Sequence, residues 1–269
     1  MSIMFCPLFS GSSGNALFVQ AGTTRLLIDA GKSGKAVTTA LASIGVDPAS
    51  ISALLITHEH SDHISAAGVL ARKYRWPIYA TEGTWAAMQR KLGEIPKACV
   101  RTFTAGEDFY LGDFGVMPFA IPHDAADPVG YRLYSGGISI ATATDLGHFS
   151  RDVAQRIAGA GLVLLESNHD PDMLRRNPHY TAALKKRILG KRGHLSNDCC
   201  ADALIRLIES GVRQVILGHL SGENNTPELA LNTSLRRLER EGIRVGEDVL
   251  VELARRDETG KVFTIKEIG

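Results

Sequence analysis

The stretch Leu54-Leu55-Ile56-Thr57-His58-Glu59-His60-Ser61-Asp62-His63 constrains this chain more than any other. Four β-prone residues make a short buried strand, and three histidines and two acids follow at once. In extended backbone, residues i and i+2 face the same side, so His58 and His60 aim at one point. Asp62 and His63 then open a helical pattern that runs from Ile64 to Tyr74 and present two more ligands. Neutral imidazole and carboxylate are the groups that zinc, manganese and iron take. The bland alternative is a polar loop rich in histidine by chance. H-x-H-x-D-H placed directly after an apolar strand argues against it. The stretch reads as a metal site.

The remainder alternates strands and helices, as an α/β chain does. Strands are expected at residues 3–9, 16–20 and 25–29. Val37, Leu41 and Ile44 then mark a helix that Gly45 stops. A strand at 77–80 and a helix at 84–92 precede strands at 100–103, 108–111 and 116–121. A hairpin follows, with arms at 131–134 and 138–142. Beyond it come a helix to about residue 158, an apolar strand at 162–165, helices at 181–189 and 197–210, and a strand at 212–217. A last helix starts at Pro227, and a hairpin over 249–265, turning at 257–260, closes the chain. Residues 53–58 (A-L-L-I-T-H) and 214–219 (Q-V-I-L-G-H) echo each other, each an apolar strand delivering a histidine. The echo predicts two similar sheets packed face to face, with ligands along the edge between them. No linker or low-complexity stretch interrupts the chain, so residues 1–269 read as one domain.

A net charge of +1 supplies no global attraction to nucleic acid or acidic membranes. Cys6, Cys99, Cys199 and Cys200 lack C-x-x-C spacing, and the last two are adjacent, a poor geometry for an ordinary disulfide. Four reduced thiols, no secretion signal and no apolar run of about 18 residues predict a cytoplasmic protein with no membrane contact.

Further ligand candidates sit at strand ends. His123 follows Phe119-Ala120-Ile121-Pro122, Asp145 follows residues 138–142, and His219 follows residues 212–217. A lone histidine at a strand end is ordinarily a satisfied surface or core residue. Here the metal stretch requires partners, and two metals about 3.5–4 Å apart also need a bridging ligand, which a carboxylate can be. His58, His60 and His123 suit a first metal and Asp62, His63 and His219 a second, with Asp145 between them. The two divalent ions would be zinc or manganese, with iron possible on ligand chemistry.

These motifs resemble the metallo-β-lactamase superfamily, in which a four-layer αβ/βα sandwich of two packed mixed β-sheets is the fold. Nearly the whole chain is similar to one branch, the WalJ/YycJ-like metallohydrolases of bacteria. The similar stretches are 10–15 (S-G-S-S-G-N), 121–131 (I-P-H-D-A-A-D-P-V-G-Y), 144–147 (T-D-L-G), 166–170 (E-S-N-H-D), 193–198 (G-H-L-S-N-D) and 218–229 (G-H-L-S-G-E-N-N-T-P-E-L). The resemblance implies a nuclease with exonuclease action on DNA, of 5′-to-3′ type. Glu166 and His194 are similar to a Glu and His pair of the tRNA-processing RNase Z enzymes, where the pair supports proton transfer to the leaving group. Phosphodiester hydrolysis needs such an acid, because a departing alkoxide is a strong base. A helix-start histidine bonded to backbone is the competing reading of His194. His169 reads as a wall residue of the pocket, while His148 and His179 read as incidental.

Charge patterning bears on the substrate. From Met173 to Asn197 there is no acid, yet Arg175, Arg176, Lys185, Lys186, Arg187, Lys191 and Arg192 all occur. A basic stretch leading into His194 suits a phosphate backbone, and a solvated helix face fits it equally. Ser12 and Asn15, in a Gly/Ser loop, are candidates to meet a phosphate through backbone N–H groups. The expected chemistry follows. Two metals lower the pKa of water toward neutrality, Asp62 orients the water, and His194 with Glu166 protonates the leaving oxygen. The rival readings are a small-molecule hydrolase acting on a lactone, thioester or cyclic phosphodiester, an iron redox enzyme, and a silent binding module. The intact ligand set argues against the last.

Overall fold

The computed structural model describes residues 1–267. Among them, fourteen strands sort into two seven-stranded mixed sheets, as the echo between residues 53–58 and 214–219 predicts. By contact, the chain falls into two compact units. The first holds Met1–Ala120, Ala125–Ile138 and the stretch from Arg255 onward, and the second holds Ile121–Asp124 and Ser139–Ala254.

In the first unit the strands are β1 (Ser2–Phe9), β2 (Ala16–Ala21), β3 (Thr24–Ile28), β4 (Ala53–Leu55), β5 (Ile78–Thr81), β6 (Val100–Phe103), β7 (Phe109–Leu111), β8 (Phe114–Ala120) and β9 (Val129–Ser135). β14 (Phe263–Lys266) joins β1, and the order runs β14-β1-β2-β3-β4-β5-β6. Pairing is antiparallel from β14 to β3 and parallel from β3 to β6. β7, β8 and β9 form an antiparallel meander. The parallel strands β3, β4 and β5 are largely apolar, because both faces are covered. Leu27, Leu54, Ile78 and Trp76 share one buried core with Val37 and Leu41 of helix α1 (Gly34–Ser43). The other helices of this unit are α2 (Ser61–Ile64), α3 (Ala67–Tyr74) and α4 (Glu82–Leu92).

In the second unit, β10 (Ile138–Ala143), β11 (Leu162–Glu166), β12 (Gln214–Gly218) and β13 (Leu250–Leu253) are parallel neighbours. Every residue of β10 and β11 is buried. The helices here are α5 (Arg151–Ile157), α6 (Pro171–Arg176), α7 (Ala182–Ile188), α8 (Asn197–Glu209) and α9 (Pro227–Arg240). α8 buries Cys200, Ala201, Leu204, Leu207 and Ile208 along one helical stripe, with Ile205 at its margin. Ser or Thr side chains cap α5, α7, α8 and α9, and Asp170 caps α6. Ser196 accepts from Cys199 N–H to start α8, and Thr226 accepts from Leu229 N–H to start α9.

Two expectations are corrected. The helix expected to run on to Tyr74 breaks between α2 and α3. The carbonyls of Asp62 and His63 would accept Ala66 and Ala67 N–H groups in a continuous helix. They accept instead from Asn15 and Ala30 at 2.8 Å each, while Ala66 N–H donates to the Ala30 carbonyl. The closing hairpin does not form either, since β13 pairs with β12 and β14 pairs with β1. Asp257 to Gly260 has the composition of a turn, yet the runs on either side of it pair with the edges of different sheets.

Candidate metal and active site

Functional side chains leave the carboxyl ends of parallel strands, where ligands gather in open α/β sheets. β3 leads to Asp29, β4 leads to Thr57 and His58, β10 leads to Asp145, β11 ends in Glu166 and β12 leads to His219. Among the described residues, only four non-glycines have positive φ. Three of them are Asp29 (62°), Asp145 (60°) and His219 (54°). Left-handed backbone at a non-glycine costs free energy and persists where surrounding bonds over-determine it.

In the first unit, His58 and His63 are fully buried. Thr57 Oγ1 donates to Asp29 Oδ2 at 2.8 Å and offers its lone pairs to His58 Nδ1 at 3.0 Å. His63 Nδ1 donates to the same Asp29 oxygen at 2.8 Å. This network places the proton on Nδ1 of both rings and leaves each Nε2 a lone pair, the tautomer a metal needs. His58 Nε2 and His60 Nδ1 stand 3.0 Å apart. Two metal–nitrogen bonds of about 2.0–2.1 Å at a tetrahedral angle would separate their nitrogens by about 3.3 Å, so this pair fits a shared cation. Asp62 Oδ2 lies 3.4 Å from His63 Nε2. Burial pushes the Asp29 carboxyl up, and its bonds to His63 and Thr57 counter that only in part.

The expected substrate loop serves this network. Asn15 is buried, its backbone N–H donates to the Asp62 carbonyl at 2.8 Å, and its Nδ2 stands 3.1 Å from His63 Nε2. Gly31 donates to the Asn15 carbonyl at 2.8 Å. A Cβ on Gly31 would lie 1.6 Å from the Asp62 carbonyl oxygen, so no other residue permits this approach. Ser12, by contrast, is exposed.

In the second unit, the centre is Glu166, which is fully buried. Its Oε1 accepts from His219 Nδ1 at 2.7 Å and His194 Nδ1 at 2.8 Å. Its Oε2 accepts the N–H groups of Leu146 at 2.7 Å and Leu195 at 2.9 Å. Burial would raise this carboxyl, but the bonds and charge of His194 and His219 outweigh it and hold Glu166 far below the usual range. Glu166 is therefore an anion that orients two imidazoles. Burial lowers the His194 pKa, and Glu166 more than reverses this, so the ring titrates above the ordinary value. Asp145 Oδ1 stands 3.6 Å from His219 Nε2 and 3.8 Å from His123 Nε2. His123 Nδ1 donates to the Gly193 carbonyl at 3.1 Å, which leaves its Nε2 as a lone pair as well. Side-chain atoms of Asp145, Glu166, His194 and His219 that could hold a cation lie within 4.8 Å of one another. Buried imidazoles fixed by carboxylate and carbonyl acceptors, beside an aspartate, fit divalent metals.

The basic stretch divides. Arg187 pairs with Asp124, and Arg192 Nε donates to the His123 carbonyl at 2.9 Å, so both brace the loop of His123. Lys185 Nζ bonds the Arg175 carbonyl at 2.7 Å, while Lys186 and Lys191 are exposed. His148 Nδ1 lies 3.0 Å from the Lys191 carbonyl. The sequence reading missed Asp29 and Thr57. The available signal was the apolar run Leu26-Leu27-Ile28 ending in an acid, the pattern that marks His58 and His219. It also missed the short helix α6, which Asp170 caps.

A Beta-lactamase superfamily domain model matches residues 24–220. Exodeoxyribonuclease WalJ of Streptococcus pneumoniae serotype 2 (strain D39 / NCTC 7466) is 42% identical over 246 residues, covering 91% of both chains. Exodeoxyribonuclease YycJ of Bacillus anthracis is 41% identical over 247 residues, covering 92% of this chain and 93% of its own. Among solved structures, the metallo-β-lactamase fold protein YhfI of Bacillus subtilis is similar with a TM-score of 0.74. It shares 15% identity over 98% of this chain and 100% of that one, a likeness of fold.

Proposed function

Because the chain belongs to the β-lactamase superfamily, we propose that it is a metal-dependent hydrolase of phosphodiesters, an exodeoxyribonuclease acting on DNA in the 5′-to-3′ sense. We take residues 1–269 as a single hydrolase domain and place it in the cytoplasm, in keeping with its four free thiols. The observation that carries the reading is Glu166, one buried anion that orients both a ligand candidate, His219, and a histidine outside the ligand set, His194.

His58, His60, Asp62 and His63, with His123, Asp145 and His219, are the residues that would supply ligands to two divalent metals. Zinc or manganese suits these donors, and iron is compatible. Bound there, the ions would lower the pKa of water and neutralise charge developing on the phosphoryl oxygens. Asp62 orients the attacking water. Glu166 remains ionised and holds His194 with its Nδ1–H inward, so His194 Nε2 is the atom that gives a proton to the leaving oxygen. Ser12, Lys185, Lys186 and Lys191 face the strand, whereas Asn15, Arg187 and Arg192 hold ligand loops in place.

The engagement of Arg187 and Arg192 with the His123 loop is what favours the rival, a hydrolase of small phosphodiesters, lactones or thioesters. Purified protein, stripped by chelation and reloaded with zinc or manganese, should release nucleotides stepwise from end-labelled DNA. Turnover of small esters with no attack on DNA would move the assignment to the rival.

A further inference from the structure

His169 is a buried imidazole, 1% exposed, whose ring makes no hydrogen bond to the described residues through either nitrogen. Buried polar groups are ordinarily satisfied, so each exception asks for a cause. Its backbone is pinned on both sides. Asn168 N–H donates to the Leu195 carbonyl at 2.8 Å, Asn197 N–H to the His169 carbonyl at 2.9 Å, and Asp170 N–H to the Asn224 carbonyl at 2.8 Å. Residue 169 also faces Ser196 across an isolated parallel bridge. A segment anchored at three successive residues does not place a side chain by accident. The anchors hold it against the segment that begins with His194, and Leu195 N–H is itself bound by Glu166.

The charged groups that act on the ring are Glu166, His194, Asp170 and Arg175. Burial pushes the ring down to about 4, so at neutral pH it carries one N–H donor and one lone pair and no charge. His169 is not among the ligand atoms that cluster around Asp145 and His219. A neutral donor beside the Glu166–His194 pair suits a phosphate oxygen, because it can bind the anion without adding a second cation next to His194.

We propose that His169 contacts the substrate, its ring N–H donating to a phosphate oxygen of the nucleotide whose leaving oxygen His194 protonates. The proposal rests on the phosphodiesterase reading above. Substrate supplies the hydrogen-bond acceptor that the described residues do not offer this ring.

The test uses the metal-loaded full chain. His169→Leu removes the donor, and His169→Asn restores an N–H of similar reach. On single-stranded DNA, His169→Leu should lower kcat/KM about tenfold or more with metal content and melting temperature unchanged, and His169→Asn should recover part of the loss. In the wild type, ring nitrogen NMR signals of His169 should shift on adding thymidine 5′-monophosphate. His169→Leu within twofold of wild type overturns the proposal. If that variant fails to fold, an unshifted ring signal overturns it instead. Should the wild type degrade no DNA while turning over small esters, the phosphodiesterase reading falls, and the His169 contact falls with it. An active wild type with indifferent His169 variants removes the His169 role and leaves that reading standing.

Discussion

Asp29 Oδ2 accepts the Nδ1 proton of His63 at 2.8 Å, with both side chains out of solvent. An aspartate that the motif H-x-H-x-D-H does not contain thus sets the tautomer of one of its histidines. Asp29→Asn keeps the shape but can present an amide N–H to Nδ1, which drives the ring proton to Nε2, the nitrogen proposed to bind metal. Metal affinity should fall about 10- to 100-fold, measured by competition with a chromogenic chelator. Unchanged affinity would show that Asp29 acts only on the fold.

With His194 proposed as the acid rather than a metal ligand, the effect of its loss depends on the leaving group. His194→Ala should slow DNA cleavage by about a hundredfold or more, since its alkoxide departs as a strong base. An activated nitrophenyl phosphodiester should slow much less, with metal content constant. Equal slowing of both substrates would make His194 a positioning residue, and depletion of metal would make it a ligand.

The division of the basic stretch gives a salt-dependence test. Changing Lys185, Lys186 and Lys191 to Gln should weaken DNA binding and flatten its dependence on log salt, by about 0.7 for each phosphate of a single strand that is no longer neutralised. Hydrolysis of a small phosphodiester should stay nearly constant. Arg192→Gln should instead impair both substrates, because Arg192 holds the His123 carbonyl. Identical behaviour of the lysine and arginine variants would contradict this division.

His169 also makes stability depend on pH. Burial depresses its folded pKa to about 4 against an ordinary 6.5, so the unfolded chain binds the extra proton first. Its contribution is present above about pH 6.5 and is lost as pH falls toward about 4, for about 3 kcal/mol at most. Denaturant unfolding of His169→Leu should show a flatter profile over that window, and a profile parallel to the wild type would refute the burial account.

How much of this was legible in the sequence follows from what each signal encodes. His58, His60, Asp62 and His63 announce themselves because they sit together in the chain, and β4, β11 and β12 because buried parallel strands are apolar throughout. The break at Ser65 and Ala66 was hidden, since it arises from carbonyls of Asp62 and His63 bonding Asn15 and Ala30, far away in sequence. Asn15 looked like a phosphate loop for the same reason, a Gly/Ser turn carrying no mark of the partner it meets. The runs that become β13 and β14 are each hairpin-like, and local pattern cannot tell a turn from a chain crossing between two sheets. The double use of Glu166 depends on His194 and His219 meeting one oxygen, a fact of distance alone.

Metal stoichiometry measured against activity tests the central claim most directly. Elemental analysis of purified chain, alongside degradation of end-labelled DNA, should give two divalent ions per chain and stepwise release of nucleotides. Chelation should abolish both, metal should restore both, and His58→Ala should bind less metal and release nothing. Full DNA hydrolysis by metal-depleted protein, or by His58→Ala, would contradict the account.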